Sequence, residues 1–216
     1  MSNKSSHAGQ KVYSKAVLKI YNFWVLFFNN RFLWKCKTSN LVNLYSKNIT
    51  ANHLDIGVGS GYLLNKVRDK LSKVTLMDLN PTCLDYVENK LKDKEISKLK
   101  TDILVDVPEA FHNQFDSIGA NYLIHCLPDN DNKDMVFKNI SKMLKSTGVA
   151  FGSTIINEYD SKMASSVANK FNEKGIFDNS GDTYEKIEKY IKENFQNYDI
   201  YKIGSVCIFS MSNPIR

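Results

Sequence analysis

The chain has 216 residues, of which 43% are hydrophobic and 12% aromatic, and a formal net charge of +6. That length holds one sizeable core and is short for two domains, and the apolar content excludes a disordered protein. Lysines are interleaved with acids and form no basic block, so the charge reads as a solvated surface and no nucleic-acid partner is expected.

In chain order, residues 1–11 are polar, are expected to fray, and do not have the form of a signal peptide. Residues 12–48 read as an N-terminal helical cap rich in aromatic side chains, with a break near Asn29-Asn30 and a short second piece containing Trp34. Most of that stripe should pack on a sheet. Tyr13, Tyr21 and Trp24 are the candidates for closing over a ligand and touching the substrate, because pockets are apolar with few polar groups. The run from Val17 to Phe28 is interrupted by Lys19 and Asn22 and is too short to span a bilayer, so no membrane partner is expected. Thr38 or Ser39 is expected to cap a further helix through Leu41, Leu44 and Tyr45.

From Ala51 strands and helices alternate. A first strand ends at Asp55, with His53 read as preceding it, and Gly57-Val58-Gly59-Ser60-Gly61 turns the chain into a helix from Tyr62 to about Leu71. Val74–Met77 is a second strand ending at Asp78, and Pro81 starts a helix through Leu91. Thr101-Asp102-Ile103-Leu104 reads as a short extended piece, Phe115–Ala120 as a strand left through Asn121–Leu127, and 132–144 as an amphipathic helix. Gly148–Gly152 is another strand, followed by helices over 160–174 and 183–194. Asp199–Ile203 and Val206–Ser210 are strands joined by only Gly204-Ser205, which requires an antiparallel hairpin. The fold class is therefore α/β: a Rossmann-like, doubly wound, mostly parallel seven-stranded sheet with a C-terminal hairpin, in a single domain over 1–216.

In such a sheet ligands bind beyond the carboxyl ends of the strands, at the switch in strand order. Three alternating glycines expose backbone N–H groups ahead of a helix, where an anionic group is favoured. The dinucleotide fingerprint G-x-G-x-x-G needs a glycine at position 62, where Tyr62 stands, so a hydride-transferring enzyme is the weakest reading. Asp55 before the turn suits a ligand carrying an ammonium group, and Asp78 can accept both hydroxyls of a ribose. Asp102 with Ile103, and Asn121 with Tyr122, stand at the two remaining tips.

The D-x-G-x-G-x-G stretch, with the order and spacing of these four tips over residues 51–155, resembles the class I S-adenosylmethionine-dependent methyltransferases. Val12-Tyr13-Ser14, Tyr21-Asn22, the spacing of Trp34 and Cys36, and Asn121–Pro128 are similar to a group of small bacterial and fungal members. The resemblance implies S-adenosylmethionine as cofactor, held by Asp55, Gly57, Gly59, Gly61, Asp78, Leu79, Asp102, Ile103 and Asn121. In that family the residue matching Asp78 holds the ribose, that matching Leu79 packs on adenine, and that matching Asp102 accepts from the adenine amino group. The acceptor is expected to be a small molecule of secondary metabolism, with the pocket built by the cap and residues 153–182.

A sulfonium leaves as a neutral thioether, so a base matters only when the acceptor carries a proton, and His125 or Tyr122 is then the candidate catalytic residue. A protein or nucleic-acid methyltransferase is a second reading, against which Asn121-Tyr122-Leu123-Ile124 stands where the Asn/Asp-Pro-Pro-aromatic turn would be. A non-catalytic cofactor-binding module is a third. Four scattered cysteines (Cys36, Cys83, Cys126, Cys207) form no metal-ligand or disulfide pattern, so no metal and a cytoplasmic location are expected.

Overall fold

The structure, a computed structural model, describes residues 30–129 and 132–216. Tyr13, Tyr21 and Trp24 lie outside the described residues. Among those described, the elements are α1 (Thr38–Asn48), β1 (Asn52–Ile56), α2 (Tyr62–Lys66), β2 (Lys73–Met77), α3 (Pro81–Lys90), β3 (Glu95–Leu99), β4 (Phe115–Asn121), α4 (Asp134–Met143), β5 (Leu144–Ile155), α5 (Lys162–Glu173), α6 (Tyr184–Asn194), β6 (Phe195–Ile203) and β7 (Val206–Pro214). The strands form one seven-stranded sheet in the order β3-β2-β1-β4-β5-β7-β6. All pairs are parallel except those of β7, which runs antiparallel to β5 and β6. Strand order reverses between β1 and β4, so their carboxyl ends flank the crevice where an open α/β sheet receives a ligand.

Side-chain alternation sends the two faces of each strand into different cores. Leu54 and Ile56 of β1 enter a core with Ile118, Phe137, Ile140, Ile187 and Phe209, under α4 and α6. The opposite face packs Val74, Leu76 and Phe151 against Leu41, Leu64, Leu84, Val87 and Ala164 of α1, α2, α3 and α5. Helix starts follow local chemistry. Asn80 accepts from Thr82 N at 2.9 Å with Pro81 at the first helical position of α3, and Ser161 and Thr183 cap α5 and α6 in the same way. Among the described residues no helix is long and apolar enough to cross a membrane.

Several boundaries differ from the sequence reading. The third strand is Glu95–Leu99, not Thr101–Leu104. It is an edge strand whose charged residues face solvent, which hides its pattern, whereas Leu104 N donates to Asp102 Oδ1 at 3.0 Å and folds that piece into a turn. Helix α2 stops at Lys66 because Val67 leaves helical geometry, and a 3₁₀ turn follows over Arg68–Lys70. Helix α1 has Lys37 at its N-cap position and no side-chain cap, so neither Thr38 nor Ser39 plays that part. Strand β5 begins at Leu144 and β6 at Phe195, each directly following a helix without a loop. At the hairpin, Gly204 takes a φ of +59°, and Ser205 N donates to Trp34 O at 2.9 Å, which ties the N-terminal segment to β7.

Candidate active site

The glycine turn leaves β1 with all three glycines in the left-handed region, at φ +71°, +50° and +62° for Gly57, Gly59 and Gly61. A Cβ at Gly57 would sit 2.9 Å from Leu123 Cδ1, and one at Gly61 would sit 2.8 Å from the Val87 methyls, so both positions are closed to larger residues. Around Gly59 there is open space instead. Lys90 Nζ, stacked 4.5 Å over the Tyr86 ring, donates to Ser60 O at 2.9 Å and steadies the far side of the turn.

Asp78 follows β2 and binds the turn through both carboxylate oxygens: Oδ2 accepts from Gly59 N at 3.4 Å and Oδ1 from Asn80 N at 2.8 Å. Burial pushes the Asp78 carboxyl above the usual carboxylate range, the N–H groups of Asn80, Gly59 and Val58 pull it down, and the nearby charge of Asp55 pushes it up again. Leu79 is half-buried beside it. Asp55 itself is 4% exposed. Its Oδ1 accepts from the Tyr45 hydroxyl at 2.7 Å and faces His53 Nε2 at 3.5 Å. His53 thus lies inside β1, not ahead of it, and is fully buried. Opposite Asp55 on β4 is Gly119, where a Cβ would sit 2.8 Å from Oδ1.

Asp102 stands just past β3, closing its own turn to Leu104. Asn139 of α4 donates through Nδ2 to the carbonyls of Ile103 and Val105, both at 2.7 Å, and fixes that turn against the sheet. The Ile103 side chain is 4% exposed and belongs to the core under α4. Asn121 ends β4; its Oδ1 accepts from Ser153 Oγ at 3.0 Å, and it also interacts with the Tyr45 hydroxyl. Tyr122 takes a φ of +52°, uncommon for a residue with a side chain, while its N–H still donates to Ser153 O at 2.7 Å. Its side chain interacts with Cys36 and meets the His125 ring edge-on at 5.8 Å.

His125 is 4% exposed. Its Nδ1 faces Thr154 Oγ1 at 3.3 Å and Ile155 N at 3.4 Å, and the Phe177 ring packs edge-on at 4.5 Å. Burial, reinforced by the Lys133 charge, pushes the imidazole down to about 3. So held, the ring packs against Thr154 and Phe177.

The structure therefore places Asp55, Gly57, Gly59, Gly61, Asp78 and Asn121 at the carboxyl ends of β1, β2 and β4, and Asp102 past the end of β3. Sequence reasoning missed Tyr45, His53, Asn139 and the pair Lys133–Asp182. One signal was available for His53: with Asp55 it makes a polar pair two residues apart in an apolar strand, hence on one buried face.

A mostly parallel sheet with a glycine turn at its switch point and an acidic residue at each of two neighbouring strand ends defines a doubly wound α/β protein. Residues 54–150 match the family described as a methyltransferase domain. The chain is 34% identical over 211 residues to a physcion biosynthesis cluster O-methyltransferase of Aspergillus chevalieri, covering 95% of each chain. It is 35% identical over 189 residues to the YbcY protein of Escherichia coli (strain K12), covering 85% of this chain and 97% of that one. The N-methyltransferase NodS of Bradyrhizobium japonicum WM9, solved with S-adenosyl-L-homocysteine, shares the fold with a TM-score of 0.60 at 19% identity, over 82% of this chain and 85% of that one. The chain belongs to the class I S-adenosylmethionine-dependent methyltransferase family and is a methyltransferase.

Proposed function

We propose that the protein transfers a methyl group from S-adenosylmethionine to a hydroxyl of a small molecule of secondary metabolism. One observation carries the cofactor assignment. Asp55 and Asp78 flank the glycine turn closely enough for one charge to disfavour the other, and no lysine or arginine pairs with either among the described residues. A ligand bearing an ammonium and a sulfonium offsets that repulsion, and the open space at Gly59 leaves room for it. The bound cofactor supplies an electrophilic methyl on a good leaving group. The chain's part is to orient it: Asp78 toward the ribose, the turn beneath the amino-acid tail, Asp55 toward its ammonium, Asp102 at the adenine edge. The family relative named as a biosynthesis-cluster O-methyltransferase supports an oxygen acceptor. The test is incubation with methyl-labelled S-adenosylmethionine and extracts of the source organism, read by mass spectrometry. A labelled small molecule is the expected result. Label found only in protein or nucleic acid overturns the small-molecule reading.

The acceptor face lies over β4 and β5. Phe177 packs on His125 and stands 6.0 Å from Trp34, which is 6.3 Å from Tyr159, so the segment before α6 meets the N-terminal segment there. The buried imidazole among them does not take the acceptor's proton, so a phenol or enol, which ionises readily, fits this site. His125 ring resonances are accordingly expected to stay constant between about pH 8 and 5 in NMR titrations, and a midpoint near the ordinary histidine value of about 6.5 would return the base role to it. The sign of the stability effect follows. With a folded value of about 3, His125 takes up its proton only after unfolding. Its contribution is therefore intact above about pH 6.5 and is lost at about 1.4 kcal/mol per unit as pH falls below that.

A further inference from the structure

Behind the glycine turn runs a chain of polar groups that the proposed reaction leaves unexplained. Tyr45, His53, Asp55 and Ser117 are all buried. Ser117 Oγ receives Thr50 N at 3.0 Å and Thr50 Oγ1 at 2.9 Å, and meets His53 Nδ1 at 2.8 Å. That contact leaves Nε2 of His53 3.5 Å from Asp55 Oδ1, without a hydrogen bond among the described residues, and the Tyr45 hydroxyl is the group that donates to Oδ1. Phe151 clamps both rings, edge-on to Tyr45 at 5.0 Å and stacked on His53 at 5.9 Å. Among the described residues every partner of Asp55 is therefore on Oδ1, and none is on Oδ2. With Oδ1 taken by Tyr45, Oδ2 is the carboxylate oxygen left for a ligand.

We infer that Tyr45 is a positioning residue that fixes the Asp55 carboxylate for the ammonium of the cofactor's amino-acid tail, so that the site distinguishes a nucleoside carrying that tail from one without it. The inference rests on the cofactor reading above. Three features fit it. Burial first, and then Asp55 itself, push the Tyr45 phenol well above its ordinary value, so it remains a hydroxyl that donates. The lack of a side chain at Gly119 leaves Oδ1 its place, since a Cβ there would crowd it at 2.8 Å. The carboxylate is thus held from α1 by Tyr45 and given room from β4 by Gly119.

The experiment compares two ligands by titration calorimetry: S-adenosylhomocysteine, which carries the ammonium, and methylthioadenosine, which has the same nucleoside and thioether without the amino-acid tail. Tyr45→Phe keeps the ring against Phe151 and loses only the hydroxyl. It is expected to weaken S-adenosylhomocysteine about tenfold, as for a hydrogen bond to a charged group, and to leave methylthioadenosine within about twofold. Gly119→Ala, which displaces Oδ1 from the other side, is expected to give the same selective loss. Equal weakening of both ligands, or unchanged S-adenosylhomocysteine affinity in both variants, overturns the role of Tyr45. Wild-type protein that binds neither ligand overturns the cofactor reading itself, before any variant is compared.

Discussion

Asp78→Ala is expected to lose at least about a hundredfold in affinity for S-adenosylhomocysteine by calorimetry, because on the proposed reading it removes a charged acceptor for two ribose hydroxyls at about 1.5–3 kcal/mol each. The same side chain takes the N–H groups of Gly59 and Asn80, so alanine also loosens the turn that carries the tail. Asp78→Asn separates the two effects. It keeps an oxygen for Asn80 N, sets an amide NH2 that cannot accept at Gly59 N, and loses the charge, so an intermediate affinity is expected. Burial raises the Asp78 carboxyl in the folded protein. Binding by the ionised form therefore weakens as pH falls through that raised value and recovers above it. The stability sign is opposite. The folded state holds this proton more tightly than the unfolded chain, so ionising Asp78 lowers the stability of the free protein as pH rises through the same window. Asp78→Asn is then expected to melt no lower than wild type at neutral pH, which separates lost binding from lost folding. Affinity unchanged in Asp78→Ala would end the ribose assignment.

Legibility in the sequence followed how local each feature's cause is. The sheet class was legible because apolar runs and turn residues alternate, and the hairpin because two residues, Gly204 and Ser205, leave no other connection. The turn was legible because φ near +60° at three alternate positions demands glycine. The exposed edge strand Glu95–Leu99 was not, since a strand covered on one side by water has no apolar run to show. Distance in sequence hid the rest. Tyr45 donates to Asp55 across ten positions and reads along the chain as one more apolar residue on a helix with Leu41 and Leu44. Asn139 sits in a helix and reaches back to Ile103. His125 is next to the expected pocket in sequence, and its contact with Thr154, twenty-nine positions on, is set by the fold. Candidate residues were legible where their backbone had to be special, and illegible where only their partner made them so.

Lys133→Met is expected to destabilise the protein by about 3–5 kcal/mol, the usual penalty for stranding one member of a buried ion pair. The Lys133 and Asp182 side chains are 0% and 1% exposed. Lys133 Nζ donates to both Asp182 oxygens, at 2.9 and 2.8 Å, and to Asp178 O at 2.7 Å, so its three protons are all engaged. Burial pushes the Asp182 carboxyl up to about 6 even though Lys133 pulls it down. This pair joins the start of α4 to the segment ahead of α6. That segment also receives Asn157 N at Asp182 O and delivers Asp178 N to His125 O. On the proposed reading it forms the acceptor wall. A loss of about 3–5 kcal/mol lowers the melting temperature by about 10 °C in a chain of this size. The double variant Lys133→Met/Asp182→Leu leaves no charge stranded and is expected to recover most of it. Urea unfolding of the wild type, the two single variants and the double variant closes the cycle and gives the coupling directly. In variants still folded at the assay temperature, S-adenosylhomocysteine affinity should hold while KM for the acceptor rises. Should both ligands weaken together, the wall is not separable from the cofactor crevice. If Lys133→Met is as stable as the double variant, the pair carries no buried charge worth its position.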